Sequence, residues 1–203
     1  LIAVNLANAE HVKVFLLGGQ SNMQGVGNNI DLPADLQSPQ TDVRVYFGSS
    51  LTVLQPGFGY TSSQFGPEIT FGRTLADARP TENFALIKYA VSATNLYDQW
   101  DPSTGSVYTN FQNTVTNGLA ALTNAGHTTE IVGMLWTQGE RDARAIGDDG
   151  RANTYEADLN ELIADVRTNY GSDLPFFLSQ LSSDQTNLPA SGLNAVRLAQ
   201  ANV

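Results

Sequence analysis

Five short apolar runs punctuate the chain, and stretches with helical periodicity separate most of them. That alternation confines the chain to an α/β fold. The runs are His11–Leu17, Asp42–Phe47, Phe84–Val91 (broken only by Lys88), Ile131–Trp136 and Pro175–Leu181. Helices are expected over Glu68–Ala78, stopped by Pro80, and over Asn110–Ala125, with Val115, Leu119 and Leu122 on one face. A third runs over Thr154–Tyr170, with Leu159, Leu162, Ile163 and Val166 on one face and Gly171 ending it, and a last begins near Leu193. Leu54–Pro67, rich in Gly, Ser and aromatics, reads as a surface loop. Strands that are apolar throughout are buried on both faces, so the expectation is a mainly parallel, five-stranded sheet between two helical layers.

In such a sheet the strands point one way, and the loops at their carboxyl ends share one rim, where ligands of open α/β sheets collect. Three polar stretches follow strands: Gln20-Ser21-Asn22, Ser92-Ala93-Thr94-Asn95 and Thr137-Gln138-Gly139-Glu140. The first follows Gly18-Gly19, which places the Ser21 hydroxyl on a tight turn just past a buried strand. That is the layout of a nucleophile. A Gly-Ser turn that only caps a helix fits this run equally well.

The length of 203 residues suits one domain. Ten Lys and Arg stand against 20 Asp and Glu, a formal charge of -10. With no basic stripe, nucleic acid is not an expected partner, and an acidic surface is repelled by anionic membranes. The absence of cysteine excludes disulfides, thiolate metal sites and a cysteine nucleophile. No apolar run approaches the roughly 18 residues that span a bilayer. The start, Leu1 to Ala9, reads either as the tail of an export signal with Ala7-Asn8-Ala9 as cleavage site or as a frayed terminus. Residues 1–10 are therefore set apart from a domain over 11–203, and the setting is expected to be secreted or periplasmic. Gly18-Gly19 lacks the G-x-G-x-x-G and Gly-Lys-Ser/Thr spacings, so nucleotide or flavin binding has little support.

Four ordered blocks resemble the SGNH hydrolases, in the form of the sialate O-acetylesterase and acetylxylan esterase branch (carbohydrate esterase family 6-like). They are Gly19-Gln20-Ser21-Asn22-Met23, Phe65-Gly66-Pro67-Glu68, Ala90-Val91-Ser92-Ala93-Thr94-Asn95-Leu96 with Trp100, and Trp136-Thr137-Gln138-Gly139-Glu140-Arg141-Asp142. The resemblance implies a flavodoxin-like three-layer α/β/α sandwich. It also implies serine esterase chemistry on acetylated carbohydrate, without metal or cofactor. Residue by residue, it makes Ser21 the nucleophile and, through its own N–H, one oxyanion donor. Ala93 would give a second backbone N–H and the Gln138 side chain a third donor. Three N–H donors suit ester cleavage, which puts negative charge on the carbonyl oxygen. As an alternative, Gln138 is a buried amide that satisfies loop carbonyls. Gln20, Asn22, Ser92, Glu68, Glu140 and Asp142 would hold the turns and loops in place. Phe58, Tyr60, Trp100 and Tyr108 are candidates to stack on sugar rings or, equally, to cover the sheet edge.

Two departures from the pattern matter. Ser92-Ala93 replaces a Gly-Gly pair, and an alanine supplies the N–H provided its φ is not strongly positive. The branch's acid/base block, D-x-x-H, is not found anywhere in the sequence. It normally follows the helix in which Val203 falls, so the domain reads as incomplete at its C-terminus. Neither histidine substitutes: His11 and His127 lie at the amino ends of their strands, and a strand is roughly 17–20 Å long. A base must come within about 3 Å of the serine oxygen, or reach it through one water. A catalytically silent glycan-binding domain on the same fold is therefore a second expectation. The sugar, the acetyl position and the oligomeric state stay open at the level of sequence.

Overall fold

The computed structural model describes residues 9–144 and 151–203, so positions 1–8 of the signal-like start lie outside the described residues. The chain runs β1 (His11–Gly19), α1 (Ser21–Gln24), β2 (Gly27–Asn28), β3 (Gln40–Phe47), β4 (Ser50–Leu54), β5 (Gln64–Phe65), α2 (Glu68–Ala78) and β6 (Asn83–Ala90). It continues through α3 (Ser106–Asn124), β7 (Thr128–Thr137), α4 (Glu140–Ala143), α5 (Arg151–Tyr170), β8 (Phe176–Leu178) and α6 (Ala190–Asn202). Two single 3-10 turns, at Asn29–Asp31 and Ala34–Leu36, lie between β2 and β3.

The main sheet has the order β4-β3-β6-β1-β7-β8. The five expected strands form and pair in parallel, and a sixth, β4, joins the edge antiparallel to β3. The sheet is thus six-stranded rather than five-stranded. Gly48, at φ 64, makes the tight β3–β4 turn, and only the inward Leu54 of β4 is fully buried. A one-sided edge strand of this kind leaves a weak apolar signal. Gln64–Phe65, expected as part of a loop, pairs with Gly27–Asn28 in a small separate ribbon.

Alternation along the strands splits the core in two. Val12, Val14 and Leu16 face a core built with Phe111, Val115 and Leu122 of α3, Leu159 and Val166 of α5, and Val196 of α6. Phe15 and Leu17 face the opposite side, with Ile69 and Ala76 of α2 and Val43, Val45 and Leu86 of the sheet. The result is the three-layer α/β/α arrangement. Helix α3 starts four residues ahead of the expected position because the Asp101 carboxylate accepts from the amides of Ser103 and Thr104 and organises the turn before it. Trp100 and Tyr108 are fully buried, with Trp100 edge-on to Trp136 at a centroid distance of 4.8 Å. They belong to the core and are not sugar platforms. Phe58 packs on Phe47 at 5.4 Å, which leaves Tyr60 as the exposed member of that set. Among the described residues no helix is long and apolar enough to cross a membrane.

Candidate active site

The three polar loops meet because the strands before them end level. Gly19 of β1 pairs with Ala90 of β6 on one side and Thr137 of β7 on the other. The register continues one residue further: Val91 donates its N–H to the Gly19 carbonyl at 3.1 Å, and Gln20 donates to the Thr137 carbonyl at 3.0 Å. Gly19 sits at φ 146, and a Cβ there would collide with the Thr137 carbonyl oxygen. Only glycine allows the chain to turn this close to β7.

Above these strand ends lies a cleft of about 370 Å³ bordered by Gln20, Ser21, Asn22, Ser92, Ala93, Glu140, Arg141, Arg144, Gln185 and Asn187. Ser21, Ala93 and four of the expected supporting residues, Gln20, Asn22, Ser92 and Glu140, are therefore together, while Glu68 and Asp142 are buried outside the cleft. Ser21 is the first residue of α1. No hydrogen bond among the described residues uses the backbone N–H of Ser21 or Ala93. The neighbouring Ser92 N–H is taken, by Gln24 Oε1 at 2.9 Å, and the Ser92 hydroxyl donates to the same atom at 2.7 Å.

Ala93 adopts φ 60, the one positive φ at a non-glycine residue among those described. The sequence-level condition of a φ that is not strongly positive is not met. The loop holds the left-handed turn nevertheless, because the residues after it are bonded tightly. Thr94 Oγ1 donates to the Val91 carbonyl and accepts from Trp100 Nε1, and the Asn95 carboxamide oxygen accepts from the amides of Asp98 and Gln99. A side chain in this region costs about 1–2 kcal/mol.

Gln138 does not reach the cleft. It is fully buried, and its amide nitrogen donates to Asp142 Oδ2 at 2.6 Å and the Thr94 carbonyl at 3.0 Å, with Gln20 Oε1 at 3.2 Å. Its oxygen accepts from the Tyr155 hydroxyl at 3.1 Å. Two amide hydrogens already have three acceptors, so none is left for a substrate oxygen. Of the two expectations for Gln138, the geometry matches the buried amide that satisfies its loop.

Buried charges fasten the loops from below. Asp142, fully buried, accepts from the backbone amides of Leu96 and Tyr97 as well as from Gln138. Burial pushes its carboxyl up to about 6, against hydrogen bonds from Gln138, Leu96 and Tyr97 that favour the charged form. Lys88 and Glu68 form an ion pair at 2.6 Å with no exposed side-chain surface. The ammonium also donates to the carbonyls of Gln24 and Phe58, and Glu68 Oε1 accepts from the Gly66 amide. Burial lowers the Lys88 pKa while Glu68 raises it. This pair ties the end of α1 to the 58–68 segment. Asn22 donates to Glu140 Oε1, joining the first loop to the third, and Glu140 Oε2 is buried with no partner among the described residues.

Neither histidine approaches this site. His11 starts β1 and contacts Thr128 and Glu130, and His127 lies 3.7 Å from Glu10, all at the opposite end of the sheet. No group of His, Cys, Asp and Glu able to hold a metal occurs among the described residues. The sequence reading missed Arg141, Arg144, Gln185 and Asn187. Arg141 was within a quoted block, but the other three lie in or beside irregular segments with no periodic or motif signal.

A central parallel sheet with three converging polar loops places its cleft at the carboxyl edge, where open α/β sheets bind ligands. The chain belongs to the carbohydrate esterase, sialic acid-specific acetylesterase family, whose model matches residues 11–203. Among solved structures, one from Arabidopsis thaliana is similar at 20% identity and a TM-score of 0.76, over 93% of this chain and 80% of that one. NanS follows at 13% and 0.69, covering 96% of this chain and 75% of that one. A carbohydrate acetylesterase from Xanthomonas citri gives 18% and 0.62, over 94% of this chain and 47% of that one. At these identities the structures establish the shared fold. A sequence search of curated proteins finds no significant match.

Two predictions follow from the loop geometry. Ala93→Gly removes the left-handed strain and is expected to raise the free energy of unfolding by about 1 kcal/mol, read from urea denaturation. A loss of stability would mean the turn is not strained. Because the folded Asp142 pKa lies above its unfolded value, its contribution is full below about pH 4 and lost as pH rises through about 6. Wild type relative to Asp142→Asn should therefore lose up to about 3 kcal/mol between about pH 4 and pH 7. Parallel pH profiles for the two proteins would contradict this.

Proposed function

We propose that the protein is a serine esterase that removes O-acetyl groups from carbohydrate through an acyl-enzyme on Ser21. One observation carries the reading: Ser21 and Ala93, whose backbone N–H groups are used by no hydrogen bond among the described residues, border a single cleft. Ser21 Oγ forms a bond to the acetyl carbon, and the carbonyl electron pair moves onto oxygen, facing those N–H groups. Collapse breaks the bond to the sugar oxygen, which leaves as the alcohol with the proton taken from Ser21. Water then repeats the sequence on the acetyl-serine, releasing acetate. The proton needs a carrier of imidazole type near Oγ, which the described residues do not place there. Apart from Ala93 the cleft is lined by polar residues, four with amide side chains, two serines, Glu140 and two arginines, which suits a sugar rather than an acyl chain.

The position of both histidines at the far end of the sheet favours one alternative, a domain that binds acetylated glycan without cleaving it. The test is acetate release from acetylated xylan and O-acetylated sialic acid, with Ser21→Ala as control. The esterase reading expects release that falls by about 10³-fold or more in the variant. Saturable glycan binding with no release, unchanged in Ser21→Ala, would favour the binding domain. Release that survives the substitution would overturn the assignment of Ser21.

A further inference from the structure

We infer that Gln20, rather than Gln138, supplies the side-chain N–H of the oxyanion site, and that Gln138 acts by holding Gln20 in position. This rests on the esterase reading above. Gln20 borders the cleft although only 3% of its surface is exposed. Three N–H groups converge on one end of its carboxamide: Gln138 Nε2 at 3.2 Å, Arg141 N at 3.3 Å and Gly139 N at 3.5 Å. Only an oxygen can sit opposite three donors, so the orientation of this amide is fixed by its surroundings. The –NH₂ group then points the other way, to the nucleophile, where Nε2 lies 3.5 Å from Ser21 Oγ. No other acceptor for Nε2 occurs among the described residues.

The two glutamines divide the work. Gln138 is away from the cleft, and its two amide hydrogens are shared among Asp142 Oδ2, the Thr94 carbonyl and Gln20 Oε1. Gln20 has hydrogens to give and lies beside Oγ. When Oγ bonds to the acetyl carbon, the carbonyl oxygen becomes an anion two bonds from Oγ, within reach of the amide that faced Oγ in the resting site. The bond formed and the proton released are those already described, and Gln20 contributes a hydrogen bond without exchanging a proton. Its donor is pre-oriented by the bonds to its oxygen, the condition under which such a donor acts on the transition state.

The test uses Gln20→Glu, which keeps the shape and the accepting oxygen and deletes the N–H, with Gln20→Met as an uncharged second variant. The measurements are kcat and KM for 4-nitrophenyl acetate, and the affinity of phenylboronic acid, whose tetrahedral serine adduct is read by boron NMR. Removing the donor should lower kcat by about 10²- to 10³-fold with KM little changed, and weaken the boronate adduct to a similar degree. A merely structural role would shift KM and the melting temperature together with kcat. Wild-type kcat and boronate affinity in both variants would overturn the assignment. A wild-type protein that neither releases acetate nor forms the adduct would instead overturn the esterase reading itself.

Discussion

The rest of the site depends on the register of one residue. Gly19 is bonded into both neighbours of β1, and the next residue on each strand is bonded too, so three loops leave the sheet at one height. A slip of one residue on β6 or β7 would reverse which face its side chains occupy and would carry Ala93 or Gln138 away from Ser21. The apolar alternation of the central strands enforces that register, since Val12, Val14 and Leu16 fill one core while Phe15 and Leu17 fill the other. Packing of the interior thus sets the geometry of the rim.

Level strand ends do not fix the loops by themselves. That is the part of the buried polar groups, each of which joins two loops. Lys88 holds the end of α1 against the 58–68 segment, Asp142 holds the Leu96–Tyr97 turn against α4, and Gln138 lies between Gln20, Thr94 and Asp142. Removing one partner from such a set leaves a buried charge or amide without compensation, which is far more costly than the pair itself is stabilising. The strain at Ala93 persists because Thr94 and Asn95 over-determine the loop around it.

The scaffold was legible in the sequence where periodicity was strong: the five parallel strands and the helical layers came from apolar runs and one-sided helices. Strand β4 was not, because an edge strand with one buried face offers too few apolar residues to stand out. The positions of Ser21, Ala93 and the third loop followed from topology, since all strand ends of a parallel sheet share one edge. The division between Gln20 and Gln138 could not be read that way. Both are glutamines in polar loops, and only the hydrogen-bond partners of each amide show which one faces the cleft. Trp100 and Tyr108 were ambiguous for the same reason: a sequence records an aromatic ring, not the side of the loop it occupies.

Family membership places the protein among the carbohydrate esterases, and the site adds a serine beside backbone amides that no hydrogen bond among the described residues uses. The central claim is that the acetyl group passes through that serine. It is tested most directly by mixing the protein with an acetyl donor such as 4-nitrophenyl acetate, quenching in acid, and mapping the peptides by mass spectrometry. The account predicts the mass of one acetyl group on the peptide that contains Ser21, appearing with substrate and decaying as acetate is released. Acetate release with no adduct on that peptide, or an acetyl group that accumulates on another side chain, would contradict it.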